Sequence, residues 1–171
     1  NQFSLRLYTQ SGVADRTITN AHLDFVTCLA TSADNDNLLF SGARDGSLKC
    51  WDLRGNQAKG TALKGGHIAT ASSISVARDV VLTTGLDGRA CLWDVRKLGQ
   101  PIGQLSFDGP VLSCSTNAAK GLGVVATTHQ LCVVSLHPFI VRDSVPGSYA
   151  SATFGGPAGE AVFAVPMPPS I

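Results

Sequence analysis

Two sets of side chains in this sequence could do chemistry. His22, Ser41 and Asp45 form the first; His67, Thr83 and Asp87 form the second. A hydroxyl, an imidazole and a carboxylate are the parts of a nucleophilic relay, in which the imidazole takes the hydroxyl proton and the carboxylate orients the imidazole. A hydrolase needs one such set, with its nucleophile open to substrate. Here the set occurs twice, and a tryptophan follows each time, Trp51 and then Trp93. With an indole present the same groups can close into a structural chain. The indole N–H donates to the hydroxyl oxygen, the hydroxyl donates to one ring nitrogen, and the other nitrogen donates to the carboxylate. The expectation is bracing, with no catalytic residue.

Spacing shows what must hold these groups. Trp51 and Trp93 stand 42 residues apart, and so do Asp45-Gly46 and Asp87-Gly88. "LLFSGARDGSLKCWDLR" (38–54) and "VVLTTGLDGRACLWDVR" (80–96) read as one pattern written twice. Ahead of them lie "FVTCLAT" and "ASSISVA". These runs are short, β-branched or alternating, and bounded by Gly, Asp or Asn, so they read as strands, and no stretch has a helical period. A weaker fourth strand follows each Trp-Asp, in "GTALKG" and "PIGQLSF". A third unit keeps the rhythm in "VLSCSTN", "LGVVATT" and "LCVVSL", with Val134 at the tryptophan position and Thr128 at the aspartate position. "FSLRLYT" and "RTITN" read as the last two strands of a preceding unit. "YASATFGG" and "EAVFAVPM" read as the first two of a following one. The proline-rich end, "VPMPPSI", should stop pairing, since proline has no N–H for a ladder.

A histidine before the first strand, an Asp-Gly turn between the second and third, and Trp-Asp ending the third, at a period near forty, resemble the WD40 repeat. The resemblance implies an all-β fold: a β-propeller of four-stranded antiparallel blades around a channel. It is specific in two units. Ala21 precedes His22 where the family prefers glycine, and the third unit has lost the set, so that unit must rely on apolar packing. The expected organisation is a single partial propeller over 1–171. Residues 1–20 end one blade, 21–64 and 65–107 are WD repeats, 108–143 is a degenerate repeat, and 144–171 start a further blade. About four blades' worth is present. The front and back pairs could complete each other in a four-bladed ring. The family's usual seven blades, with no initiator methionine here, lead to the expectation of a piece of a larger ring.

The bulk numbers disfavour several classes without excluding nucleic acid. A net charge of +1 with 15% charged residues makes no electrostatic case for nucleic acid or an anionic membrane surface. No apolar run approaches the roughly 20 residues that span a bilayer. The five cysteines, at 28, 50, 91, 114 and 132, form no C-x-x-C pair. They read as buried thiols in a reducing intracellular compartment, cytoplasm or nucleus, with no metal site and no cofactor. "GLG" at 121–123 lacks the strand–helix setting of a nucleotide loop, and "FGGPAG" at 154–159 reads as a turn. His129 and His137 have no companions at metal spacing, and Arg142-Asp143 reads as a solvated pair.

Function is then expected from surfaces. Arg44 and Leu86, each before a turn aspartate, should share one rim with the loops at Asp24-Phe25 and Ile68-Ala69. Arg54 and Arg96 follow Trp-Asp at equal spacing in "WDLR" and "WDVR". These stretches also resemble the repeat box of substrate receptors of cullin–RING ubiquitin ligases, apart from Cys50 and Ala90 where that family prefers other residues. The order of units, ending in "ATFGGPAGEAVFA", resembles the C-terminal propeller of the U-box ubiquitin ligases of the nineteen complex, which work in splicing. "LLFSGARDGSLKCWDL" is also similar to the terminal propellers of some kinesins. The expected function is a non-catalytic protein–protein interaction scaffold in a multi-protein assembly, with no small-molecule substrate. The alternative is the partner-choosing propeller of a ubiquitin ligase.

Overall fold

The computed structural model describes residues 3–32, 35–55, 58–155, 159 and 161–168. All of its regular elements are antiparallel strands, and no helix occurs among the described residues. Strands β1 (Leu5–Tyr8) and β2 (Ala14–Ile18) form a two-stranded sheet. A four-stranded sheet follows: β3 (Val26–Thr31), β4 (Leu38–Ala43), β5 (Leu48–Asp52) and β6 (Lys59–Leu63). The next holds β7 (Ala71–Ala77), β8 (Val80–Gly85), β9 (Arg89–Asp94) and β10 (Gly103–Ser106). A third four-stranded sheet contains β11 (Val111–Asn117), β12 (Leu122–Thr127), β13 (Gln130–Leu136) and β14 (Phe139–Pro146). Strands β15 (Tyr149–Gly155) and β16 (Ala161–Pro166) form the last pair. In each four-stranded sheet the strands lie side by side in chain order, the meander that short polar turns produce.

The core lies between the sheets. One apolar cluster joins Leu5 and Ile18 of the first pair to Leu39 and Trp51 of the next sheet. A second joins Phe40, Leu48 and Cys50 to Ile74, Val81, Cys91 and Trp93. A third joins Leu82 and Leu92 to Val111, Val125 and Val134, and a fourth joins Val124 and Ala126 to Ala152. Sheets covered on both faces explain why the second strand of each unit does not alternate: every residue of β8 is buried. This face-to-face stacking of meandering sheets is the blade arrangement of a propeller, with about four blades' worth present.

Two devices repeat from sheet to sheet. The first strands β3, β7, β11 and β15 each carry a register shift after their first residue, at Val26/Cys28, Ala71/Ser73, Val111/Ser113 and Tyr149/Ser151. A bulge at that place increases the local twist of the strand. The Asp-Gly turns also recur. Gly46 and Gly88 have φ of 79° and 76°, in the left-handed region that glycine enters freely. A Cβ on Gly46 would lie 2.9 Å from the His67 carbonyl oxygen and 2.8 Å from that of Ala69. The turn of one sheet therefore abuts the loop that enters the next.

One boundary changes. Strand β14 runs on to Pro146, so the boundary placed at 143/144 moves past that residue; proline is tolerated because β14 is an outer strand. Among the described residues β1–β2 and β15–β16 are separate sheets, so the alternative of a four-bladed closure is not formed. Residues 156–158 of "FGGPAG" lie outside the described residues, and so does 160 at the head of "EAVFAVPM". The proline-rich end still pairs at Val165 and Pro166, which lie opposite Ser151 and Tyr149, and residues 169–171 lie outside the described residues.

Candidate functional site

The second set assembles as read. The Trp93 indole donates to Thr83 Oγ1 at 3.0 Å, and that hydroxyl lies 3.0 Å from His67 Nε2. His67 Nδ1 lies 3.1 Å from Asp87 Oδ1. A neutral imidazole accepting at Nε2 and donating at Nδ1 satisfies every member. The carboxylate does more than hold the ring: it also accepts from the backbone N–H of Ile68 at 3.0 Å and of Arg89 at 3.3 Å. It thus ties the loop before β7 to the turn between β8 and β9.

The first set departs at its carboxylate. Trp51 donates to Ser41 Oγ at 2.8 Å, and Ser41 Oγ lies 2.6 Å from His22 Nε2. His22 Nδ1, however, meets Ser47 Oγ at 2.6 Å rather than Asp45. Asp45 is exposed and accepts from the Ser47 N–H at 2.9 Å. The reason is the side chain two positions after each aspartate. Ser47 presents a short hydroxyl that reaches the ring first, whereas Arg89 has no hydroxyl to offer and its guanidinium lies 4.0 Å from Asp87 itself. Lys49 adds a link absent from the sequence reading, donating from Nζ to the Ala21 carbonyl at 2.5 Å and lying over the Trp51 ring. The alanine before His22 is accommodated because the Trp51 ring lies against Gly60, while the Trp93 ring lies against Gly66.

In the third unit apolar groups stand in the same places. Gly88 faces the carbonyls of Phe107 and Gly109, as Gly46 faces those of His67 and Ala69. Phe107 therefore occupies the histidine position. Val125 pairs with Cys132 as Thr83 pairs with Cys91, which puts it at the hydroxyl position. Phe107, Val125 and Val134 share one cluster. The turn acceptor is Thr127 rather than Thr128: its hydroxyl accepts from the N–H groups of His129 at 3.1 Å and Gln130 at 2.9 Å.

Ser41 and Thr83 have relative exposures of 0% and 1%, and each hydroxyl is engaged by an indole and an imidazole. A substrate carbonyl has no approach to either. The thiols are equally withdrawn: burial pushes Cys91 and Cys114 up to about 12, and Cys50 and Cys132 to about 11. Such thiols are not nucleophiles near neutral pH.

Two predictions follow from these contacts. Asp87→Ala leaves buried donors unpaired and should cost roughly 1–3 kcal/mol, whereas exposed Asp45→Ala should cost about 0.5 kcal/mol or less; urea midpoints of the two variants check the order. The second concerns pH. Burial lowers the pKa of His22, helped by nearby Lys49 and opposed by Asp45. Burial likewise lowers that of His67, partly offset by Asp87. The folded state therefore binds fewer protons than the unfolded state just below the ordinary histidine value of 6.5. Their contribution to stability is complete above that value and is lost as pH falls through it towards the folded pKa. Urea midpoints should decline between about pH 7 and pH 5, before carboxylates titrate.

Hydrogen bonds tie the loops that carry Asp24, Phe25, Arg44 and Leu86. The Arg44 N–H donates to the Phe25 carbonyl at 2.8 Å, and the Leu86 N–H to that of Thr70 at 2.9 Å. Thr70 Oγ1 donates back to the Arg44 carbonyl at 3.1 Å, and Asp24 accepts from the Phe25 N–H at 2.7 Å. On this pinned backbone Phe25 is 46% exposed, Ile68 77% and Leu86 43%. Leu23, which the sequence reading passed over, is 90% exposed. Arg54 and Arg96 project beyond the opposite ends of the strands. Arg54 forks back onto its own Asp52, with Nε 2.9 Å and 3.1 Å from the two carboxylate oxygens. That hydrogen-bonded pair holds Asp52 down at about 2. Arg96 Nε donates to Asp94 at 3.3 Å. The 53–55 loop is held by a residue that the repeat pattern does not reveal: Arg16 Nη1 donates to the carbonyls of Leu53 at 3.0 Å and Gly55 at 2.6 Å.

Meandering four-stranded sheets, turn glycines and indole–hydroxyl–imidazole chains define WD40-type propeller blades. Residues 13–52 match the WD40 family model, the WD domain, G-beta repeat. That match runs from the start of β2 through β5, so one sequence repeat straddles two sheets. The chain is 32% identical over 141 residues to mitochondrial division protein 1 of Saccharomyces cerevisiae, covering 79% of this chain and 19% of that protein. It is 32% identical over 105 residues to COMPASS component SWD1 of Saccharomyces cerevisiae, covering 58% of this chain and 24% of that one. It is 34% identical over 80 residues to small ribosomal subunit protein RACK1z of Arabidopsis thaliana, covering 44% and 24%. The matched stretch spans about a fifth to a quarter of the length of each relative.

Proposed function

We propose that the protein is a non-catalytic scaffold whose WD40 blades present a rim to other proteins of a multi-protein assembly, and that the two indole–hydroxyl–imidazole chains brace that rim. One observation carries the reading. Phe25, Ile68 and Leu86 are exposed apolar side chains on loops whose backbone is tied down by hydrogen bonds from both neighbours. Rigid apolar anchors lose little entropy on binding, which is what an interface centre needs. The names of two relatives, a COMPASS component and a ribosomal subunit protein, describe parts of assemblies and agree with it. Five unpaired thiols fit a reducing compartment.

Exposed Arg54 and Arg96, at equal places in two blades, support the second reading, a ubiquitin-ligase propeller. A partner there must displace Asp52 and Asp94 first, which favours the apolar rim. Affinity purification of the full-length protein from its own cells, with mass spectrometry, separates the two. Phe25→Ser with Ile68→Ser and Leu86→Ser should lose the co-purifying set at least tenfold while melting normally. Arg54→Ala with Arg96→Ala should keep it. The reverse pattern overturns the scaffold-rim reading in favour of the ligase one.

A further inference from the structure

At the end of the sheets opposite the Phe25–Leu86 rim, a cavity of about 240 Å³ opens between the sheet of β7–β10 and that of β11–β14. Its floor is buried and apolar, made by Ala77, Val80 and Leu136. Arg78, Asp79 and His137 stand at its mouth. Pockets for drug-sized ligands run from about 300 Å³ upward, so this one suits a single side chain.

Three observations give it a chemistry. Arg78 has a φ of 48°, in the left-handed region of a tight turn, where glycine, asparagine or aspartate is the ordinary choice. A residue that breaks its local rule at the mouth of a cavity points to a use for its side chain. Among the described residues the guanidinium of Arg78, like those of Arg6 and Arg44, makes no hydrogen bond or ion pair, whereas those of Arg16, Arg54, Arg89, Arg96 and Arg142 are engaged; of the three it is Arg78 that stands at the cavity. Finally, Arg78 and Asp79 are the lining's cation and carboxylate, and Asp79 lies 4.0 Å from Arg96 Nη2 across the mouth. With Asp79 drawn to Arg96, the Arg78 guanidinium is left to take an acceptor from outside.

We propose that this cavity receives a glutamate side chain of a partner protein. Its methylenes lie on Ala77, Val80 and Leu136, and its carboxylate is forked by the Arg78 guanidinium, the planar donor pair that matches a carboxylate. The site is independent of the apolar rim and stands or falls without it.

Fluorescence anisotropy with the full-length protein tests this, using a labelled Ser-Leu-Glu-Leu-Ser peptide at low ionic strength. Saturable binding is expected, at least tenfold tighter than that of the peptide with Gln in place of Glu, and weakened by added salt. Arg78→Gly is the informative variant, because glycine adopts the same backbone without strain. It should melt at an equal or higher temperature and bind the Glu peptide at least tenfold more weakly, while Arg78→Lys falls between. Equal affinity for the Glu and Gln peptides, unchanged affinity in Arg78→Gly, or no binding of the Glu peptide would each overturn the proposal. Tighter binding of the same peptide with phosphoserine in place of Glu would also overturn it, assigning the cavity to phosphate instead.

Discussion

Trp93→Ala is expected to lower the free energy of unfolding by about 3–5 kcal/mol, the range for removing a large buried aromatic side chain. Trp93 is wholly buried and packs in the cluster that joins the sheet of β3–β6 to that of β7–β10. Its ring fills the space that Gly66 leaves by having no Cβ. Truncation opens a cavity between two sheets that rigid meanders cannot close by local collapse. The loss is a large share of a total stability of about 5–15 kcal/mol. Trp51→Ala should cost less, because Trp51 packs towards the two-stranded sheet of β1 and β2 and retains some exposure. Equilibrium urea denaturation of both variants gives the comparison. A cost under about 1.5 kcal/mol for Trp93→Ala would show that the indole does not hold these sheets together.

Much of this architecture was legible because the repeat writes each strand, turn and indole at fixed spacing. The second set could be read group by group, though not which ring nitrogen meets which partner: Asp87 is followed by Gly88 and Arg89, and nothing short competes for His67. The first set could not, because Ser47 supplies an oxygen nearer to His22 than Asp45 does. The signal was present as "DGS" against "DGR", but one hydroxyl outcompeting a carboxylate is a matter of reach, not pattern. Phe107 was missed for a different reason. An apolar residue in an apolar run does not announce that it stands in for a histidine, and only the carbonyls facing Gly88 reveal the equivalence. Arg16 acts from β2 on a loop of the next sheet, across 37 residues of chain. The Arg78 cavity likewise joins residues of two sheets. Contacts between blades are set by stacking, which a repeat period implies but does not detail.

Thr83→Val is expected to cost about 2–4 kcal/mol although it changes almost no volume. The substitution is nearly isosteric, so cavity and packing losses are small. What it removes is the one oxygen that receives the Trp93 indole N–H and donates to His67 Nε2. Both groups are buried, and each unpaired buried polar group costs about 1–3 kcal/mol. Two such groups in one chain are coupled, which keeps the sum below simple doubling. Thr83→Ser should recover most of the loss, since Ser41 does the same work in the preceding sheet. The third unit supplies the opposite control. Val125 packs in an apolar cluster with Phe107 and Val134, so Val125→Thr buries a hydroxyl among apolar groups and should also destabilise. Urea midpoints for the three variants decide the matter. If Thr83→Val proves neutral, then hydrogen bonding through this hydroxyl contributes nothing net, and packing of the indole alone accounts for the joint between the blades.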